Sequence, residues 1–314
     1  MVLCHFISPL GQIHGIRFIY RFCYIFHMPA MLFVSGYFMK RSIKDGKLIS
    51  NKIFNYIFLY ILFQILFTLI NNGKFSLYQS QMGLWYIQIL IIYMCTLPII
   101  TKIKNKYCIL LSIFFGLLIG IDKSAGHIGS LSRLLVFLPF FLAGYYIERE
   151  QLMQIVKNKK YSVIIGLIAL FILGIIINKM INFVPHLNYL TSGKVSYYVM
   201  KLTTIEGVFH RLIWYIIAFL MIIFTMMIIP MKKCILSKIG SRSLQIFLLH
   251  LIICVYMRKT DFYIFLGNYN DIIVIFSTIL ISGLITYVTS LKIFKYPFDY
   301  IMNLKFKKLL KNEN

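Results

Sequence analysis

Apolar stretches long enough to cross a bilayer, about 20 residues each, alternate along this chain with short basic loops. They fall near residues 19–39, 53–72, 84–101, 107–121, 131–147, 161–178, 208–230, 243–257 and 272–294. The windows at 107–121 and 243–257 are short and extend into their flanks or tilt little. Residues 1–10 read as the far half of a further span whose beginning is missing. The pattern therefore predicts an all-α fold, a polytopic integral membrane bundle of about ten transmembrane helices with the first truncated. It assigns residues 1–304 to the transmembrane domain and 305–314 to a basic cytoplasmic tail.

Charge orients the bundle. If the loop after the second span is cytoplasmic, the inside segments hold Lys40, Arg41, Lys44, Lys47 and Lys52, then Lys102, Lys104 and Lys106. Arg149, Lys157, Lys159 and Lys160 follow, then Lys232, Lys233, Lys238 and Arg242, and six lysines from Lys292 to Lys311. That is 22 of the 33 basic residues, a bias recurring loop after loop as the positive-inside rule expects. Both termini are then cytoplasmic, and a multi-pass protein of a bacterial plasma membrane is expected. The largest outside segment, 179–207, carries Pro185, Gly193 and several tyrosines and is either a partial lid or acceptor contact, or simply a long loop.

Composition changes this picture little. Of 314 residues, 60% are hydrophobic and 13% charged, too little polar surface for a soluble domain. A net charge of +24 points to nucleic acid in a soluble protein, but here the charge sits in loops between spans. The lipid bilayer, and no nucleic acid, is the expected partner. The six cysteines include no Cys-x-x-Cys pair and read as apolar packing residues. No cleavable signal peptide is visible.

Ionisable groups at membrane depth are costly and mark function. The nine acidic residues all fall in loops or at span ends, which counts against a proton-coupled transporter. His5 lies in an apolar run ended by Pro9 and Gly11. A neutral histidine there can accept a proton from a hydroxyl, or it makes a packing hydrogen bond. His27 sits at the outer mouth of the second span, sharing the same pocket or capping the helix start. For His250 packing is the better reading. His14, His127, His186 and His210 lie in or beside outer loops and read as solvated. Arg17 and Arg21, four apart, share a helix face and either hold an anionic or polyhydroxyl group or anchor the interface. Arg133 opens the sixth span. Trp85, Tyr86, Trp214 and Tyr215 read as interfacial belt residues. No phosphate loop, metal-ligand spacing or nucleophile elbow is present, so no metal is expected.

Five stretches, in order, carry a resemblance: Val-Leu-Cys-His (2–5); Phe-His-Met-Pro through Ser-Gly-Tyr-Phe (26–38), which contains Ser35 and Gly36; Leu-Trp-Tyr-Ile (84–87); Ser-Arg-Leu-Leu-Val-Phe-Leu-Pro-Phe-Phe-Leu-Ala-Gly-Tyr-Tyr (132–146); and Ile-Gly-Ser-Arg-Ser-Leu-Gln-Ile-Phe-Leu-Leu-His (239–250). Together they resemble the membrane-bound acyltransferase-3 family, in its sugar and polysaccharide O-acetyltransferase (fucose 4-O-acetylase-like) branch. The resemblance implies ten membrane helices and transfer of an acyl group, usually acetyl, from cytoplasmic acyl-CoA to a hydroxyl of a sugar or surface glycan. Acetyl-CoA is then the donor substrate, with no bound cofactor.

His5 matches the family's catalytic histidine. The family's arginine about ten residues earlier has no counterpart and is expected in an upstream extension of the reading frame. Arg17, Arg21, His27, Arg133, Ser35 and Gly36 are the supporting candidates for acceptor or acyl-CoA. The expected function is an integral membrane O-acyltransferase acting on a cell-surface polysaccharide or its lipid-linked precursor. The alternative is a polytopic transporter or flippase of glycan precursors, which should line several spans with charge.

Overall fold

A computed structural model describes residues 1–40, 43–44, 47–48, 50–126, 129–156, 159–183, 187–230 and 232–305. Arg41, His127, Lys157, Pro185, His186 and the tail from residue 306 lie outside the described residues. The chain runs α1 (Val2–Ile7), a 3-10 turn (Ser8–Leu10), α2 (His14–Met39), a two-residue antiparallel pairing of β1 (Ile43–Lys44) with β2 (Lys47–Leu48), and α3 (Ser50–Ile70). It continues through α4 (Trp85–Ile100), α5 (Asn105–Leu118), α6 (Leu131–Tyr146), α7 (Arg149–Ile155), α8 (Lys159–Phe183) and α9 (Leu187–Ser192). The last third holds α10 (Thr204–Ile228), α11 (Ile235–Gly240), α12 (Ser243–Arg258), α13 (Phe262–Gly267), α14 (Asp271–Thr289) and α15 (Lys292–Met302).

Every apolar window of the sequence coincides with a helix. Five of them, in α2, α3, α8, α10 and α14, are long and apolar enough to cross a membrane. The helices α4, α5 and α12 are apolar but shorter, and α6 meets α7 at a 96° bend. Large apolar side chains on the outer surface, such as Leu69, Phe171, Phe276 and Leu280, remain two-thirds or more exposed. Such faces are stable where lipid covers them, so the chain is a multi-pass, helical membrane protein.

Polar contacts between helix ends sort the bundle into two sides. The Lys40 ammonium donates to the Ile147 carbonyl (2.6 Å) and pairs with Glu148 (2.8 Å), joining the C-termini of α2 and α6. Lys159 donates to the Met227 and Ile229 carbonyls, joining the start of α8 to the end of α10. Arg242 at the head of α12 donates to Ser290 at the foot of α14. At the opposite end, Lys259 donates to Ile70 and Arg258 to His5. Cations here satisfy carbonyls left over at helix C-termini. Reporter fusions at Lys47 and Ser192 are expected to score on opposite faces, inside and outside; matching signals would sink the orientation.

Close approach is concentrated between α2 and α6, which pack more extensively than any other pair. A Cβ on Gly36 would run into the Phe141 carbonyl, and one on Gly144 into the Phe33 carbonyl. Small residues thus let two backbones meet, as in membrane helix pairs generally. Pro29 lies inside α2 and has no N–H for the Ile25 carbonyl four residues back. Trp214 Nε1 donates to that carbonyl at 3.0 Å instead.

Trp214 is therefore 2% exposed and no belt residue. The same correction applies to Trp85, Tyr86 and Tyr215, all buried. Tyr215 donates to the Val136 carbonyl at 2.8 Å.

Candidate functional site

Three histidines from distant parts of the chain meet inside the bundle. His5 lies 5.4 Å, ring centre to ring centre, from His250 and 6.1 Å from His27. Short α1 is held in place at its C-terminal end. The His5 carbonyl accepts from Ser8 Oγ (3.0 Å) and from the Arg258 guanidinium (3.0 Å), and the Phe6 carbonyl accepts from Tyr263 Oη (2.9 Å). These bonds satisfy carbonyls that a six-residue helix leaves unpaired.

His27 is not at the mouth of its span. The helix begins at His14, thirteen residues earlier, because Arg17 folds back to donate to the Gly11 (2.8 Å) and Gln12 (3.2 Å) carbonyls. At about 1.5 Å per residue, His27 sits roughly 20 Å along α2.

Both partner histidines have one nitrogen committed. Nδ1 of His27 lies 3.2 Å from the Cys23 carbonyl and Nδ1 of His250 lies 2.8 Å from the Ile246 carbonyl. A carbonyl only accepts, so Nδ1 carries the hydrogen and the neutral ring presents Nε2 as a lone pair. Nε2 of each is buried without a protein hydrogen-bond partner. A buried acceptor left unpaired costs on the order of 1–3 kcal/mol, which a ligand hydroxyl can recover. Among the described residues no group of three His, Cys, Asp or Glu is arranged to hold a metal ion.

Two cavities lie toward opposite ends of the paired α2 and α6, neither of them lined by these three histidines. The inner one, about 400 Å³, is bounded by Ser35, Lys52, Tyr56, Tyr86, Ser243 and Phe247 among others. Ser35 Oγ lies 2.6 Å from Tyr86 Oη and also donates to the Met31 carbonyl at 2.8 Å. The Tyr86 ring packs 5.0 Å from Phe247, and Phe247 packs 6.2 Å from His250. Gly36 does not line this cavity; it serves the contact between α2 and α6.

The outer cavity, about 250 Å³, is polar and is bounded by Gln79, Ser80, Gln81, Ser130, Arg133 and Lys194 among others. The Arg133 guanidinium lies over the Trp85 ring at 4.5 Å, and elsewhere the Tyr24 ring is 4.7 Å from His27. A run of ring contacts thus leads from the inner cavity through Tyr86, Phe247 and the three histidines to Tyr24.

The outer cavity is built by side chains inside the spans. Gln64 Nε2 donates to the Ser76 (2.6 Å) and Gln79 (2.8 Å) carbonyls, and its Oε1 accepts from Gln81 N–H (3.0 Å). Tyr60, one turn earlier, donates to the Leu77 carbonyl at 2.8 Å, and Ser130 Oγ donates to Gln88 Oε1 at 3.0 Å. Gln64 is fully buried, so Gln64→Leu should cost about 2 kcal/mol, the usual scale for lost hydrogen bonds that leave buried partners. Hydrogen exchange over residues 76–81 should quicken in that variant; unchanged protection would show that the loop does not depend on it.

Of the remaining sequence candidates, Arg21 keeps its Nε buried and unpartnered, while Arg17 is spent on local carbonyls. His14 is exposed, but His210 is half-buried within α10 with an unpartnered Nδ1, not solvated. One residue escaped sequence reasoning. Arg211 is 0% exposed, donates to the Gly116 carbonyl at 2.9 Å and lies 4.6 Å over the Tyr197 ring. Its signal was a guanidinium seven residues into a 25-residue apolar helix.

No curated protein and no solved structure matches this chain. Residues 1–289, nearly the whole sequence, match the family described as the acyltransferase domain, acyltransferase-3. A helical membrane bundle with three histidines meeting inside it suits that description, and the chain belongs to the acyltransferase-3 family of membrane acyltransferases.

Proposed function

We propose that this protein moves an acetyl group from acetyl-CoA, or a related acyl-CoA, to a hydroxyl of a sugar in a cell-surface polysaccharide or its precursor. The observation that carries the reading is the meeting of His5, His27 and His250 inside the bundle, with a buried, unpartnered Nε2 on each of the last two. On this reading the bundle crosses the membrane about ten times with both ends cytoplasmic. The donor enters the inner cavity, whose lining includes Lys52, Ser35 and Ser243, and the acceptor enters the outer one.

The reaction needs no group beyond these. The acceptor hydroxyl gives its proton to an imidazole nitrogen of His5 as its oxygen bonds to the thioester carbonyl carbon. The C–S bond then breaks and the thiolate leaves, taking the proton back from the imidazolium. The Nε2 lone pairs of His27 and His250 are available to orient the hydroxyl or share the proton. Arg133 and Arg21 are supports for the acceptor side and Ser35, with Tyr86, for the donor side.

The test is transfer of label from acetyl-CoA to added glycans by purified full-length protein in detergent. Label recovered as alkali-labile sugar ester is the expected result. Glycan-stimulated movement of lipid-linked sugar across vesicles, without any thioester cleavage, would instead favour a flippase.

A further inference from the structure

The outer cavity has a charge character that acyl transfer to a hydroxyl does not require. The Arg133 guanidinium carbon lies over the Trp85 ring, 4.5 Å from its centre, and its Nε donates to the Ser192 carbonyl at 3.1 Å. Its two terminal nitrogens make no hydrogen bond among the described residues, which leaves the fork open toward the cavity it lines. A guanidinium held this way is preorganised for a two-oxygen anion.

Lys194 supplies a second cation on the same wall. Its segment is pinned as firmly: Ser132 Oγ donates to the Gly193 carbonyl at 2.7 Å, Gly193 takes φ +63°, and Gly126 leaves no room for a Cβ against the Lys194 carbonyl. The cavity lies at the N-terminal end of the sixteen-residue α6, whose dipole adds positive potential there. Gln79, Ser80, Gln81 and Ser130 give the wall amides and hydroxyls, and among the described residues no acidic one lines it. Amides and hydroxyls suit a polyhydroxyl ring, and the two cations suit an oxyanion attached to it.

We infer that the outer cavity binds one acidic sugar residue of the acceptor, its carboxylate or phosphate held by Arg133 and Lys194 and its hydroxyls by the Gln79–Gln81 loop. The inference deepens the acyltransferase reading and rests on it for the word acceptor; the binding itself does not. Arg133 and Lys194 are then specificity-determining residues, with no part in the proton transfer.

The protein contains a reporter of this site. It has two tryptophans, and only Trp85 touches the cavity's guanidinium; Trp214 is buried with its Nε1 on the Ile25 carbonyl. Intrinsic fluorescence of the full chain in detergent should be titrated with glucuronate, glucose 1-phosphate, inorganic phosphate and glucose, without acetyl-CoA. A saturable change with glucuronate or glucose 1-phosphate, weakened by added salt and absent in Trp85→Phe, is expected. Whichever of the two binds tighter identifies the oxyanion as carboxylate or phosphate.

Lys194→Gln and Arg133→Gln should each weaken binding about 10- to 100-fold, the scale of one charge-assisted contact. Lys194 is exposed, so its variant will fold even if the Arg133 variant does not. An equal response to glucose, a response to phosphate matching that to the sugar phosphate, or no response at all would overturn the inference. Acetyl transfer to neutral glycans with a silent Trp85 overturns it while leaving the transferase standing. An anion response with no transfer to any glycan supports the cavity assignment and sinks the transferase reading.

Discussion

His5→Ala should abolish acyl transfer while the protein stays inserted and folded. A positioned general base is worth on the order of 10²–10⁴ in rate, and the His5 ring is the one that meets both other histidines. Its side chain makes no hydrogen bond that holds the fold; α1 is fixed through backbone carbonyls by Arg258, Ser8 and Tyr263. A role in packing alone predicts the reverse, a loss of about 1 kcal/mol in stability with activity retained.

His250→Ala should reduce the rate less, because its Nδ1 is committed to the Ile246 carbonyl and only Nε2 is free to assist. Both variants should be compared at equal membrane abundance by transfer of labelled acetyl. Near-wild-type transfer by His5→Ala would overturn its assignment as base.

The second large effect is structural. Gly36→Ala and Gly144→Ala should each destabilise the bundle by about 3 kcal/mol, the upper end for overpacking. The atoms a new Cβ would meet are the Phe141 and Phe33 carbonyls, which are backbone and have no rotamer to escape into. The helices α2 and α6 must then separate along their length, which also shifts His27 and Arg133, one on each helix. Thermal unfolding in detergent checks this, with Gly240→Ala as the contrast, since nothing lies within 4 Å of a Cβ there. Melting temperatures of the Gly36 and Gly144 variants equal to that of Gly240→Ala would refute the close-packing account.

The position of nearly every helix was legible in the sequence, for a simple reason. In lipid the backbone must bond internally and the side chains must be apolar, so a span announces itself as a window of composition. Charge bias carried the alternation of helix ends as well, and Lys40, Lys159 and Arg242 bridge ends that it assigned to one side. Helix starts were less visible. The onset of α2 at His14 depends on Arg17 reaching two carbonyls, a tertiary detail that moved His27 from the mouth to mid-helix.

The ordered stretches around His5, Ser35, Arg133 and His250 also located the family in sequence, because their residues recur in a fixed order. What sequence could not determine is who meets whom. His5, His27 and His250 are up to 245 positions apart, and no periodicity on one helix encodes contact between three. The same holds for Trp85 under Arg133 and for Trp214 on the carbonyl that Pro29 frees. Local physics sets where a helix forms and which residues are apolar; the pairing of polar groups across helices is decided only when backbones pack closely enough for unpaired atoms to find each other.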